Sequence, residues 1–217
     1  HWETGVDKAF IRLLAEAYLE VTNNQQSDNI IFEEELLDGY IARTNKNASA
    51  DATIDFGLNQ EGEPWTKKAV QNNNKKYIGI NTNNLTINND IVNRIVNQLN
   101  ESNAKSLNIA GMGIYNMLSV TQQQIDNYVY ELLNAVLNSP NLATKIEIIR
   151  TGGQTGFDEA GAKAGVKLGI PTKILAPKGW TFRVSEKQFN DIYKPLGVQG
   201  KKVKNDYDIS DKSLFID

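Results

Sequence analysis

The chain has 217 residues, 40% of them hydrophobic, and a formal net charge of −3. That is enough for one sizeable domain or a domain with an appendage, and it lacks the overall basic footprint of a nucleic-acid binder, which leaves only a local patch for such a partner. There is no cysteine, and the one histidine is His1, so disulfides, zinc–thiolate sites, thiolate nucleophiles and a Ser-His-Asp triad are excluded within these residues.

Chemistry is thereby left to carboxylates, hydroxyls, lysines, backbone amides or a hard oxygen-bound cation such as Mg²⁺, with no protein-built metal centre expected. No apolar run approaches the roughly 20 residues of a membrane helix, and no secretory signal is visible, so a cytoplasmic chain with no membrane partner is expected. The first residue is His rather than Met, which reads as a processed chain or a piece of a larger polypeptide. Asparagine occurs 26 times, interrupted everywhere by apolar residues, and reads as drift in an AT-biased genome rather than a low-complexity tract.

In chain order, Phe10, Leu13, Leu14, Ala17, Tyr18 and Val21 recur with helical spacing. A second helix is expected over 31–42, with Leu36, Leu37, Tyr40 and Ile41 on one face. Residues 43–76 show no sustained period beyond a short strand at 52–56, so 1–75 read as a helical extension with an irregular linker.

From residue 76 strand and helix patterns alternate. Strands are expected at 77–81, 107–110, 145–150 and 173–176, and helices at 91–99, 125–137 and 157–168. Thr121 with Gln124, and Ser185 with Gln188, have the spacing of capping boxes. The β-α alternation predicts an α/β fold: a Rossmann-like open parallel sheet over 76–198 with helices on both faces. The stretch 199–217 reads as a polar tail.

In such sheets ligands sit where strands run into helices. Two of these junctions carry glycines: Gly111 and Gly113 after 107–110, and Thr151-Gly152-Gly153-Gln154-Thr155-Gly156-Phe157-Asp158 after 145–150. Glycines let backbone amides approach a phosphate, and the following helix turns its positive end toward it. Thr151, Gln154 and Thr155 add side-chain donors, and Asp158 accepts from a sugar or base. Lys178, in the Pro177-Lys178-Gly179-Trp180 loop, is the candidate phosphate cation, with Arg183 and Arg150 behind it. Trp180 is the candidate stacking residue. Neither loop is a dinucleotide fingerprint or a P-loop.

The segment 149–180, and above all its GGQTGFD core, resembles the Smf/Lonely Guy (SLOG) superfamily of Rossmann-like proteins. Nearest in pattern are the molybdenum carrier proteins and phage-encoded DNA-processing (DprA-like) proteins. The likeness spans about residues 105–195. It implies a nucleotide-binding or nucleotide-sensing module in phage or mobile-element nucleic-acid metabolism or defence signalling. The cell of residence would then be a bacterium or a phage-infected host. The Lonely Guy relatives imply the alternative of a nucleoside monophosphate N-glycosidase, with Asp158 or Glu159 catalytic. Two positions depart from these patterns: Glu159 stands where the carrier proteins have Arg, and Thr151 where Lonely Guy enzymes have Pro. A third reading is an assembly component, in a larger polypeptide or a homo-oligomer, that reuses the fold without a ligand.

Overall fold

The computed structural model describes residues 29–36, 40–59, 62–117 and 119–210, apart from the side chains of Tyr40 and Trp180. The helix expected over 10–21 lies outside the described residues. Six strands form one parallel sheet: β1 (Ile30–Glu34), β2 (Ala52–Gly57), β3 (Lys76–Asn81), β4 (Ser106–Gly111), β5 (Ile148–Gly152) and β6 (Thr172–Ala176), in the order β1-β6-β5-β4-β2-β3. The fold is α/β and Rossmann-like. From β2 the chain steps outward to β3, then returns past β2 to β4 and continues to β6. The reversal falls between β2 and β4, the point outside whose carboxyl ends open α/β sheets bind ligands.

Right-handed crossovers sort the helices onto the two faces. Three cover one face: α3 (Asn89–Glu101), α4 (Gln122–Leu137) and α5 (Phe157–Lys167). Two cover the other: α1 (Tyr40–Asn47) and α2 (Pro64–Asn72). Strand alternation makes the faces chemically different. Toward α3–α5 point Ile54, Phe56, Ile78, Ile80, Leu107, Ile109 and Ile149, all buried in the main core. The α1/α2 side receives Thr53, Asp55, Asn108, Arg150 and Lys173 instead.

The expected capping box opens α4, with Thr121 accepting from the Gln124 amide and Gln124 reaching back. In α5, Gly161 lies against Ile109 and Gly165 against Thr172, so closely that a methyl at either would collide. That is why this helix is built of small residues.

Four expectations are corrected. Residues 30–34 form a strand, not the start of a helix. Ile-Ile-Phe has high β-propensity, and its backbone pairs with β6 from Ile30–Thr172 to Glu34–Ala176. The helical period came from Leu36 onward, where Leu36 itself is exposed and α1 begins only at Tyr40. Residues 64–72, read as irregular, form α2. Pro64 stands at its first turn, and only Ala69 and Val70 are buried, too few to write a period. The strand expected over 145–150 is Ile148–Gly152, so Thr151 and Gly152 belong to the sheet. The supposed polar tail forms a hairpin, β8 (Gly200–Val203) and β9 (Asp206–Ser210), which pairs with β7 (Thr181–Ser185) in the order β7-β9-β8. Phe182, Val184, Phe189, Tyr193 and Ile209 give this second sheet its own small core.

Candidate functional site

A cleft of about 210 Å³ opens over the carboxyl ends of β4 and β5, on the polar side of the sheet. Asn108, Ala110, Gly111 and Gly152 floor it. Gly113, Tyr115, Gln154 and Asp158 come from the two glycine loops. Arg43, Thr44 and Asn47 of α1 form one wall with Thr66 of α2, and Arg183 of β7 stands at the rim.

Asp158 is the charged centre. It is buried in the first turn of α5, and Arg43 Nη1 lies 3.3 Å from its Oδ2. Burial pushes its carboxyl up to about 6, although Arg43 and the Gln154 amide both favour the charged form. Gly152 makes the pair possible. A Cβ there would stand 2.2 Å from Asp158 Oδ2 and 2.4 Å from Arg43 Nη1.

A second acid lies deeper on the same sheet face. Asp55 Oδ2 accepts from Tyr77 Oη at 2.6 Å and from the Glu63 amide at 2.7 Å. Its Oδ1 is buried with no hydrogen-bond partner among the described residues. Burial raises this carboxyl to about 7; Tyr77 and the Glu63 amide oppose the rise, and the negative charges of Glu63 and Asp158 add to it. Asn108 gives its amide nitrogen to Thr53 Oγ1 at 3.3 Å. That leaves the buried Asn108 Oδ1 as an acceptor unmatched among the described residues, in the cleft floor.

The two glycine loops are tied to each other. The Gln122 side chain accepts from the Gly156 amide at 2.7 Å and donates to the Gly156 carbonyl at 2.9 Å. The Phe157 amide bonds to the Met112 carbonyl at 3.2 Å. Gly156 sits at φ 87°, and a Cβ would meet Met112 O at 2.3 Å, so only glycine fits this crossing. The second loop is also tied to β7: the Arg183 amide donates to Gln154 Oε1 at 3.1 Å. Arg183 in turn is held by Asp208, Nε to Oδ1, at 2.9 Å.

These bonds redraw the expected site. Gly111, Gly113, Gly152, Gln154 and Asp158 do meet around one cleft. Thr151 and Gly152 lie in the strand, and the amides of Gln154, Gly156 and Phe157 are bonded within the protein.

Thr151 is buried and donates to the Asp158 carbonyl at 2.7 Å. Gly153 packs on Ala176, and Thr155 leans on the Arg183 carbonyl at 3.4 Å. Lys178 is exposed on the turn after β6, outside the cleft lining. Trp180's side chain lies outside the described residues.

Glu159 points away from the cleft. It is buried against Lys163 at 2.5 Å, and Lys163 also holds Asp126 of α4 at 2.6 Å. It therefore ties α5 to α4 and is not among the residues that line the cleft. Among the described residues, no group of three or more acidic or histidine side chains gathers as a metal site.

Arg43, Asn108, Asp55 and Thr66 were not anticipated. Asp55 and Asn108 did leave a signal: each interrupts an otherwise apolar strand (ATIDFG, SLNIAG) at a position that a sheet covered on both sides normally fills with an apolar residue. No family model matches the sequence, and no curated protein or solved structure matches it.

Proposed function

We propose that the chain binds a phosphorylated sugar of the nucleotide type in the cleft over β4 and β5. The observation that carries this reading is the presence of two arginines, Arg43 from α1 and Arg183 from β7, in the lining of one small polar cleft beside the sheet's reversal point. A guanidinium has five donors in a planar fork. It can engage a carboxylate on one edge and a phosphate on another. Asn108 Oδ1 and the Asp158 carboxyl offer acceptors for sugar hydroxyls. The GGQTGFD resemblance supports the same class of ligand. The cation assignment moves from Lys178 to the two arginines.

Calorimetry with ribose 5-phosphate, ribose and inorganic phosphate tests the reading. Ribose 5-phosphate should bind, and at 100 times its Kd should stabilise the fold by about 2.7 kcal/mol. Ribose should bind far more weakly. Absence of any heat or thermal shift with ribose 5-phosphate refutes the proposal and favours a ligand-free assembly role.

One observation favours a second reading. Asp158 lines the cleft with its carboxyl raised to about 6, close enough to neutrality to trade a proton with a leaving group or a water. Release of free base from nucleoside monophosphates, lost in Asp158→Asn with binding retained, would make the protein an N-glycosidase.

A further inference from the structure

The cleft continues past Thr44 and Arg183, and both residues also line a second, mainly apolar hollow of about 550 Å³ on the outer side of α1 and α2. Its apolar walls are Ile41 and Trp65, which are 67% and 72% exposed. A tryptophan so open to water, in the first turn of a helix that buries only Ala69 and Val70, contributes little to the fold. Asn45 and Asn72 line the same hollow and bring amide groups that both donate and accept. Helical spacing explains the layout. Ile41, Thr44 and Asn45 share one stripe of α1, while Arg43 and Asn47 share another that faces the cleft.

We infer that this hollow is the base subsite of the same ligand: a nucleobase stacks on Trp65, Asn45 and Asn72 read its polar edge, and the sugar crosses at Thr44 and Arg183 into the polar cleft. This rests on the phosphorylated-sugar reading and adds the substrate class, a nucleoside monophosphate rather than a sugar phosphate. Three features favour a base over a protein segment. The hollow is continuous with a polar, cation-lined cleft, which fits one ligand with an aromatic end and an anionic end. Among the described residues it has a single aromatic platform. Beside Thr44, Lys68 and Arg183 its polar lining carries the side-chain amides of Asn45 and Asn72, suited to the donors and acceptors of a base edge. Stacking on an aromatic side chain tolerates any base, so the amides would supply the discrimination.

Titration of the full chain with the four nucleoside 5′-monophosphates and ribose 5-phosphate, read by calorimetry and tryptophan fluorescence, decides the matter. At least one nucleotide should bind about tenfold or more tighter than ribose 5-phosphate and quench fluorescence. Trp65→Ala should reduce that nucleotide to the affinity of ribose 5-phosphate, leave ribose 5-phosphate unchanged and abolish the quench. Trp65→Phe should keep most of the gain. Equal affinities for nucleotides and ribose 5-phosphate, untouched by Trp65→Ala, would overturn the base subsite and leave the phosphate reading standing. No binding of any of the five would overturn both. Self-association that Trp65→Ala abolishes, without a nucleotide effect, would assign the hollow to a second copy and overturn the inference.

Discussion

Arg43 and Asp158 lie 115 residues apart in sequence and 3.3 Å apart at their charged ends, both nearly buried. Their pairing joins the helix that follows the edge strand β1 to the helix that follows β5. Taking one charge away strands the other. Arg43→Ala is expected to destabilise the fold by about 3 kcal/mol in urea denaturation, because the Asp158 carboxylate then has no cation beside it. Removal of both, in Arg43→Met with Asp158→Leu, should recover most of that loss. Additive losses would mean that the two side chains are not coupled.

Stability should depend on pH in a direction opposite to ordinary acid denaturation over part of the range. Asp55 and Asp158 titrate near 7 and 6 in the folded chain, against 3.8 for an unperturbed aspartate. Between those values the folded protein keeps protons that the unfolded chain has released, so stability falls as pH rises from about 4 to 7, by up to about 1.4 kcal/mol per unit per group.

Asp51 works the other way. Burial raises its carboxyl, but bonds from Lys75, Ser106 and Lys105 outweigh that and hold it at about 2. Its contribution is present above pH 4 and lost as pH falls toward 2. Chemical denaturation at a series of pH values should therefore find a maximum between about pH 3 and 4 for these groups. Asp55→Asn should flatten the slope on its alkaline side. A slope unchanged in that variant would show that Asp55 titrates normally.

Gly152 offers a direct probe of the site. The methyl of Gly152→Ala would enter the space between Asp158 and Arg43, at 2.2 and 2.4 Å from their polar atoms. Separating the two side chains should cost about 1–3 kcal/mol, as overpacking does, and should weaken ribose 5-phosphate binding at least tenfold. Wild-type affinity in this variant would place the ligand elsewhere.

Glu159 should behave as a structural residue. Glu159→Gln breaks its ion pair with Lys163, which also serves Asp126. A lower denaturation midpoint is expected, with unchanged ligand affinity and unchanged release of base if any is found. Loss of binding at full stability would return Glu159 to the site.

The alternating core of the fold was readable because its strands and helices carry strong periods: α4 buries Ile125, Val129, Leu132, Leu133 and Val136 at helical spacing behind a complete capping box. The elements that were misread bury little. Strand β1 lies at the sheet edge with Ile31 and Phe32 half open, α2 exposes its tryptophan, and β8 is mostly exposed. Their structure comes from pairing with distant residues, which no local period records.

The glycine loops were legible as a site because glycine, threonine and aspartate cluster between strand and helix. Of the cations, Arg183 stood only behind Lys178 and Arg43 was not read at all. Arg43 and Arg183 reach the cleft from elements 115 residues before Asp158 and 29 residues after Gln154, brought there by sheet order and by the Gln154–Arg183 bond.

Because hydrocarbon fills one side of the sheet and hydrogen-bonding groups the other, fold maintenance and the proposed recognition are separated by the thickness of a single layer. Selection can rework Asn47, Thr66 or Asn108 while Leu132 and its neighbours go on holding the molecule together. A saturation mutagenesis survey would register this as two interleaved tolerance patterns along each strand, the core-facing positions answering to the folded population and the alternate ones to ligand choice.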